Sequence, residues 1–362
     1  MKSIKSIVGM FGDLFRLYLP ASKNNRNEAA FVFLVHPRDT SDFYRKYPFL
    51  KIFPAGFVEF IMQFIWPVTL SEITGLVSKQ DGKPVQGWLI SILFTGKMLL
   101  KKRISANKKI LQAMKLAEKK GARIIGLGAL TSSITKGGLE LVGKTSLAIT
   151  NGNSLTAAIT LKDVSEIIKD HSKKISSIAI VGATGSIGQA VSLSLANKNA
   201  ENLIIIGKTP KHLEELEKKM RLANENTKII ASTELSKISE ADIIIVATAS
   251  PDALIKAEHL KNGAIIYDVS QPQNVDRGII KSRPDIRLID GGTVSTPRIN
   301  YHFNFGLPRE TAFACLTETM LLAAEKIFED YSVGPIEVKK IQGIERLAEK
   351  YNFKKYSSSD GN

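Results

Sequence analysis

The hydrophobic pattern changes period along the chain, and each change predicts an element. Over 1–20, Ile4, Ile7, Val8, Phe11, Leu14, Phe15 and Tyr18 recur at helical spacing with Lys2, Lys5, Asp13 and Arg16 between them, so an amphipathic helix is expected. Asp13 and Arg16 interrupt what would otherwise be a signal-peptide core, and no small-residue cleavage site follows. Such a helix either packs on the body of the protein or touches a membrane surface reversibly. A second apolar run, Phe57 to Leu70, contains Glu59, Gln63 and Pro67 and falls short of the ~20 residues that cross a bilayer. It reads as buried core or as the wall of an apolar pocket.

Between these runs and Ile175 short strands alternate with helices. Phe31 to Val35 is a β-rich run ending at His36, Gln80 to Pro84 is a turn between extended segments, and Ser105 to Lys120 is a Lys-rich helix stopped by Gly121. Arg123 to Leu127 and Ser146 to Ile149 read as strands, the latter followed by Thr150-Asn151-Gly152-Asn153 and a helix that Ser154 would cap. From Ile175 the rhythm is that of a parallel sheet: Ile178–Val181, Leu203–Ile206, Lys228–Ala231, Asp242–Val246, Gly263–Asp268 and Ile286–Asp290 alternate with helical or loop segments. From Pro308 onward two helical stretches and a polar tail, 356–362, pack back on the rest. The expected organisation is α/β: an N-terminal extension over 1–30, an α/β domain over 31–174, a doubly wound Rossmann-type domain over 175–300, and a C-terminal helical segment over 301–362.

Composition agrees with an ordinary folded chain. The 362 residues suit roughly two domains, and 44% apolar with 23% charged residues excludes wholesale disorder and an integral membrane bundle. The net charge of +15 attracts acidic partners without choosing among nucleic acid, anionic lipid and an acidic carrier protein. A single cysteine, Cys315, forms no disulfide within the chain and points to a reducing, cytoplasmic compartment.

Val181-Gly182-Ala183-Thr184-Gly185-Ser186-Ile187-Gly188 follows an apolar strand and opens a helix. Gly182 permits a tight turn, Gly185 lets the backbone approach a pyrophosphate and Gly188 lets the helix lie close, while amides at the helix start face the anion. The second strand ends in Gly207-Lys208-Thr209, where NAD-specific domains place an acidic residue. That cationic, hydroxyl-bearing loop suits the extra phosphate of NADP, the alternative being solvated surface lysines. By topology Ala247 and Thr248, with Ala249 and Ser250, and Asp268 with Ser270 would border the nicotinamide side. Cys315 lies in an apolar helix read as starting near Pro308, which places it about two turns in and weakens any pull of the helix dipole on the thiol; a lone cysteine in such company is ordinarily inert. No His/Cys/Asp cluster at ligand spacing suggests a metal, and no nucleic-acid platform is present, so neither partner is expected.

Taken together the residues resemble the long-chain fatty acyl-ACP reductase family of cyanobacteria and its bacterial relatives, with a shikimate-dehydrogenase-like architecture. Phe33-Leu34-Val35-His36 resembles that family's early strand and histidine, Gly128-Ala129-Leu130-Thr131-Ser132 its Gly-Gly-Phe-Thr-Ser segment, and 150–157 its Thr-Gly-Asn-x-x-Thr-Ala segment. Residues 181–191 follow its nucleotide loop, and Phe313-Ala314-Cys315 with Glu318 matches the segment around its nucleophilic cysteine. The family's Gly-Gly-x-Val-x-His run is here Gly291 to Thr296, so that Ser295-Thr296 replaces what is polar and titratable there, and His302 lies nearby in sequence. The resemblance implies NADPH-dependent reduction of an acyl-ACP or acyl-CoA thioester to an aldehyde through Cys315. It also implies His36, Thr131, Ser132, Asn151, Asn153 and Thr156 on the substrate side, with Thr131, Ser132, Asn151 and Asn153 as oxyanion donors. The 31–174 domain becomes the substrate domain and 175–300 the NADP domain, while residues 1–20 remain open to peripheral membrane contact. Competing readings are an NADP-dependent shikimate- or amino-acid-type dehydrogenase without covalent catalysis, and a basic binding protein without turnover.

Overall fold

The computed structural model describes residues 2–18, 29–170, 175–198, 200–248, 255–271 and 273–356. His171, Ala249, Ser250 and the tail beyond 356 lie outside the described residues, as does 19–28 of the expected extension. Two compact units emerge, one of 1–152, 294–334 and 347–362, the other of 153–293 and 335–346. Their division therefore falls at 152/153, whereas the hydrophobic pattern places a boundary near 174.

In the first unit the elements are α1 (Lys2–Tyr18), β1 (Ala30–Val35), α2 (Thr40–Lys46), α3 (Ala55–Met62), β2 (Val68–Ile73), β3 (Gln86–Ser91), α4 (Gly96–Lys101), α5 (Arg103–Lys119), β4 (Ile124–Leu127), α6 (Leu130–Ile134) and β5 (Ala148–Thr150). The sheet order is β2-β3-β1-β4-β5, parallel except for β2. The period of two is visible in its core: Ala30, Val32 and Leu34 of β1 join Trp88, Ile90, Ile125 and the inner face of α5. Phe31 and Phe33 point the other way. Trp88 to Phe94 is thus core throughout.

The second unit holds α7 (Asn153–Asp170), β6 (Ser177–Val181), α8 (Ser186–Asn197), β7 (Asn202–Ile206), α9 (Pro210–Ala223), β8 (Lys228–Ser232), β9 (Ile243–Val246), β10 (Ile265–Asp268), α10 (Ile279–Ser282) and β11 (Arg287–Asp290). Its six strands are parallel in the order β11-β10-β9-β6-β7-β8, the doubly wound plan expected from the repeating apolar runs. Each run is isoleucine-rich because both faces of such a sheet are covered. Ser154 does not cap α7: the helix begins at Asn153, so Ser154 sits buried in its first turn.

The chain then forms β12 (Thr293–Ser295), β13 (Thr311–Phe313), α11 (Ala314–Ala324), α12 (Val338–Lys350) and β14 (Lys354–Lys355), with β12, β13 and β14 in a small sheet. Helix α11 lies on β1 and β4, which explains Gly126 in β4: a Cβ there would stand 2.1 Å from Thr319 Oγ1.

Two expectations about apolar segments need correction or narrowing. Helix α1 packs on β2 and α5 by burying Leu17 and Asp13, whose carboxylate accepts from Thr69 N (2.6 Å) and Thr69 Oγ1 (3.0 Å). Its aromatic stripe faces outward. The Phe57 to Leu70 run is not wholly buried, since only Val58 and Met62 of α3 turn inward at i, i+4 spacing while Phe57, Phe60, Ile61 and Phe64 are exposed. Among the described residues no helix is long and apolar enough to cross a membrane.

Candidate active site

Parallel strands in register bring their loops out side by side. Leu34 stands opposite Leu127 and Gly126 opposite Thr150, so His36, the 128–132 segment and the 150–152 loop leave the same edge of the first sheet. Asn153 and Thr156 belong to the first turn of α7 and to the second unit.

Cys315 is the second residue of α11. The expected start near Pro308 is wrong because that stretch is tied into extended structure: Thr311 Oγ1 donates to Pro308 O (2.7 Å), Thr296 N donates to Glu310 O (2.6 Å), and β13 precedes the helix. Cys315 therefore lies within the first turn, where main-chain amides and the positive end of the helix dipole are nearest. Gly152 lies against it. With φ +75, Gly152 presents its backbone so closely that a Cβ would fall 2.1 Å from Cys315 Cα and 2.3 Å from its Cβ.

The buried Glu318, one turn further along, holds this arrangement. Its Oε1 accepts from Thr150 Oγ1 (2.5 Å) and Ser332 Oγ (2.6 Å), while Gly152 N donates to Thr150 Oγ1 (3.2 Å). A single carboxylate thus links the loop after β5 to the helix of Cys315. Glu318, Thr150 and Gly152 were not singled out as site residues in the sequence; the available signal was a carboxylate inside an otherwise apolar helix.

Burial pushes the Cys315 thiol up to about 12; the Leu316 amide opposes the shift and the Glu318 charge adds to it. Part of the residue still reaches solvent. It is protonated at neutral pH. Alkylation of Cys315 by iodoacetamide is accordingly expected to be slow at neutral pH and to climb about tenfold per pH unit above it without levelling off below pH 10, followed by mass spectrometry; a plateau near pH 8 contradicts this.

His36 is neutral as well, since burial lowers its pKa. With the proton on Nδ1, that nitrogen donates to Pro37 O (2.8 Å) and Nε2 accepts from Leu130 N (3.4 Å). The histidine so bridges the loops after β1 and β4. Thr131 is fully buried and donates to Gly128 O (2.7 Å), Ser132 is nearly buried, and Asn151 Nδ2 donates to Gly137 O (3.1 Å). His302 is exposed and pairs with Thr74 Oγ1 (3.1 Å), while Thr296 bonds Tyr301 OH (2.7 Å). Ala129 carries φ +47 and ψ −126, a region that suits glycine. Ala129→Gly is expected to stabilise the chain by about 1 kcal/mol, read from the urea midpoint, because strain outweighs the added freedom of the unfolded chain.

In the second unit β6, β7, β9 and β10 end at one level: Val181 faces Ile206 and Val246, and Val246 faces Asp268. The strand order reverses between β6 and β9, where such sheets open a crevice. Gly182 has φ +82 and no room for a Cβ, which would lie 2.5 Å from Ala247 O. At Gly188 a Cβ would lie 2.3 Å from Gly182 O, so α8 rests directly on the loop. Gly185 is the N-cap of α8, without a side-chain cap, and Ser186, Ile187 and Gly188 supply the amides of the first turn. Ala183 is buried and its N–H donates to Ile206 O (2.9 Å), shaping the loop.

Thr184 adjoins Gly207, and exposed Lys208 and Thr209 follow at the end of β7. Thr248 N donates to Ser270 Oγ (3.3 Å). Asp268, buried and raised in pKa by that burial, accepts from Ser270 N (2.8 Å) and Asn274 N (2.9 Å), so its carboxylate fixes the loop after β10. A glycine cradle, a helix start and a neighbouring cation form a donor set that fits a dinucleotide phosphate.

The shikimate / quinate 5-dehydrogenase family matches residues 163–290. Long-chain acyl-[acyl-carrier-protein] reductase from Synechococcus elongatus is 29% identical over 306 residues, which span 79% of this chain and 87% of that protein. The resemblance to the acyl-[acyl-carrier-protein] reductases holds. Aminotransferase PigE from a Serratia species is also 29% identical, over 273 residues, but this chain spans only 31% of its length. Among solved structures, quinate dehydrogenase from Corynebacterium glutamicum in complex with NAD aligns with a TM-score of 0.41 and 13% identity, covering 88% of this chain and 99% of that one.

Proposed function

We propose that the chain reduces a long-chain acyl thioester, carried on acyl carrier protein or coenzyme A, to the aldehyde, with NADPH as reductant and Cys315 as nucleophile. The observation that carries this reading is the place of Cys315 in the first turn of α11 against Gly152, in a chain similar along most of its length to an acyl-[acyl-carrier-protein] reductase. After losing its proton, Cys315 Sγ adds to the thioester carbonyl; the carrier thiolate leaves and takes up a proton, and the acyl group stays on sulfur. NADPH, held by Gly182, Gly185, the α8 amides and Lys208, supplies hydride when bound. The hemithioacetal oxyanion on Cys315 collapses as the C–S bond breaks, the aldehyde departs, and the freed Cys315 thiolate takes up a proton from solvent. Ser132 and Asn151 are the candidate donors to the oxyanion.

The shikimate-type match raises a non-covalent dehydrogenation as the second reading, but it covers only 163–290 and leaves the first unit undecided. NADPH preference has its own test. Lys208→Glu is expected to shift the NADPH-to-NADH ratio of kcat/KM by roughly tenfold or more toward NADH, since it removes a cation from the adenosine phosphate and supplies a ribose acceptor. An unchanged ratio would mean that another group reads the phosphate.

A further inference from the structure

We propose that the first unit docks on an anionic phospholipid bilayer through an aromatic face built by 49–64 and the outer stripe of α1. Isolated exposed apolar residues are normal, but a contiguous set of large ones marks an interaction surface. Here Ile52 is 80% exposed, Phe60 58% and Phe64 67%, with Phe49, Phe53 and Phe57 also exposed. Phe53 and Phe57 rings stand 5.5 Å apart, and Phe60 and Phe64 rings 5.2 Å apart, edge to face. Val8, Phe11, Phe15 and Tyr18 recur on one side of α1, with Phe15 63% exposed. Trp66, two residues beyond Phe64, lies against α1, its ring 5.8 Å from Phe11 and its Nε1 donating to Met10 O (2.6 Å), and Met10 packs on the buried cluster of Val58 and Met62 beneath the aromatic run. None of these residues lines a cavity of about 570 Å³ that lies along β2 and β3.

Charge selects the occupant. The α4–α5 junction borders this face, since Lys102 Nζ donates to Gln63 Oε1 (2.6 Å) and Lys109 Nζ to Ile65 O (2.8 Å). Exposed Lys97, Lys101 and Lys108 flank it, with Leu100 and Ile104, the latter 78% exposed, between them, and Lys51 lies within the aromatic run. The carboxylates of the same segments are engaged inward: Asp13 on Thr69, and Glu59 on Thr40 Oγ1 (3.2 Å) and Thr95 Oγ1 (3.3 Å). Aromatic side chains inserted at headgroup depth, with lysines against anionic phosphates, satisfy both sets at once. This inference does not depend on the catalytic reading.

The test is co-sedimentation of the full chain with phosphatidylcholine vesicles, with and without about a third phosphatidylglycerol, at low and high salt. Binding is expected on the anionic vesicles, weakened by salt, and lowered at least about tenfold in the Phe60→Asp, Phe64→Asp double variant. Because both positions are exposed, that variant should keep its thermal midpoint. A Lys101→Glu, Lys108→Glu variant provides the second arm and should lose the preference for phosphatidylglycerol. The proposal is overturned by failure to bind either vesicle, by unchanged binding of both variants, or by the Phe60/Phe64 variant abolishing self-association or binding to acyl carrier protein while vesicle binding is absent.

Discussion

Replacing Cys315 with alanine should lower aldehyde formation from an acyl thioester by at least about a thousandfold while leaving NADPH binding within about twofold of the unaltered chain. The thiol is the only group in the proposed mechanism that carries the acyl chain, so no partial route survives its loss. The cofactor loop belongs to a separate unit built on β6 and α8 and makes no use of it. Aldehyde yield and a cofactor fluorescence titration measure the two quantities. Excess thioester without NADPH should leave an acyl adduct on Cys315 that mass spectrometry detects and that the variant lacks. Full turnover by Cys315→Ala would remove the covalent step and favour a dehydrogenase acting without a thiol.

Gly152→Ala is expected to be nearly as damaging for a different reason. The position combines φ +75 with a Cβ that would stand 2.1 Å from Cys315 Cα, and the atoms it meets are the Cys315 backbone and Cβ rather than the free end of a side chain. Strain and overpacking together should cost about 2–4 kcal/mol, seen in the urea midpoint, with a fall in acyl-adduct formation that exceeds the loss of folded protein. An unchanged midpoint would show that the loop after β5 does not touch α11 as described.

The second unit was legible because its physics is local. Buried parallel strands read as short apolar runs, and the glycines between Val181 and Gly188 announce a turn that must approach other backbone. Residues of the candidate site in the first unit were only partly legible. The three-residue strand Thr311–Phe313 has no periodicity to read, and Pro308 imitates the first residue of a helix, so the local pattern starts α11 too early. The contact of Gly152 with Cys315, and the hold of Glu318 on Thr150, join positions far apart in the chain and leave no mark in either local pattern. Phe57 to Phe64 misled for the converse reason, since composition distinguishes apolar from polar but not the inner face of a short helix from its outer one.

The discontinuity of the first unit orders events during synthesis. Its sheet is translated first, yet α11, which covers β1 and β4 and meets Gly126 through Thr319, emerges only after residues 153–293 of the second unit. On the ribosome the nucleotide-binding unit has nearly all of its chain before its predecessor is covered, so Phe31, Phe33 and Gly126 wait without their partner helix. Chains arrested before residue 314 should therefore engage chaperones through the first sheet, and completion of α11 both releases them and delivers Cys315 to its loop in a single step.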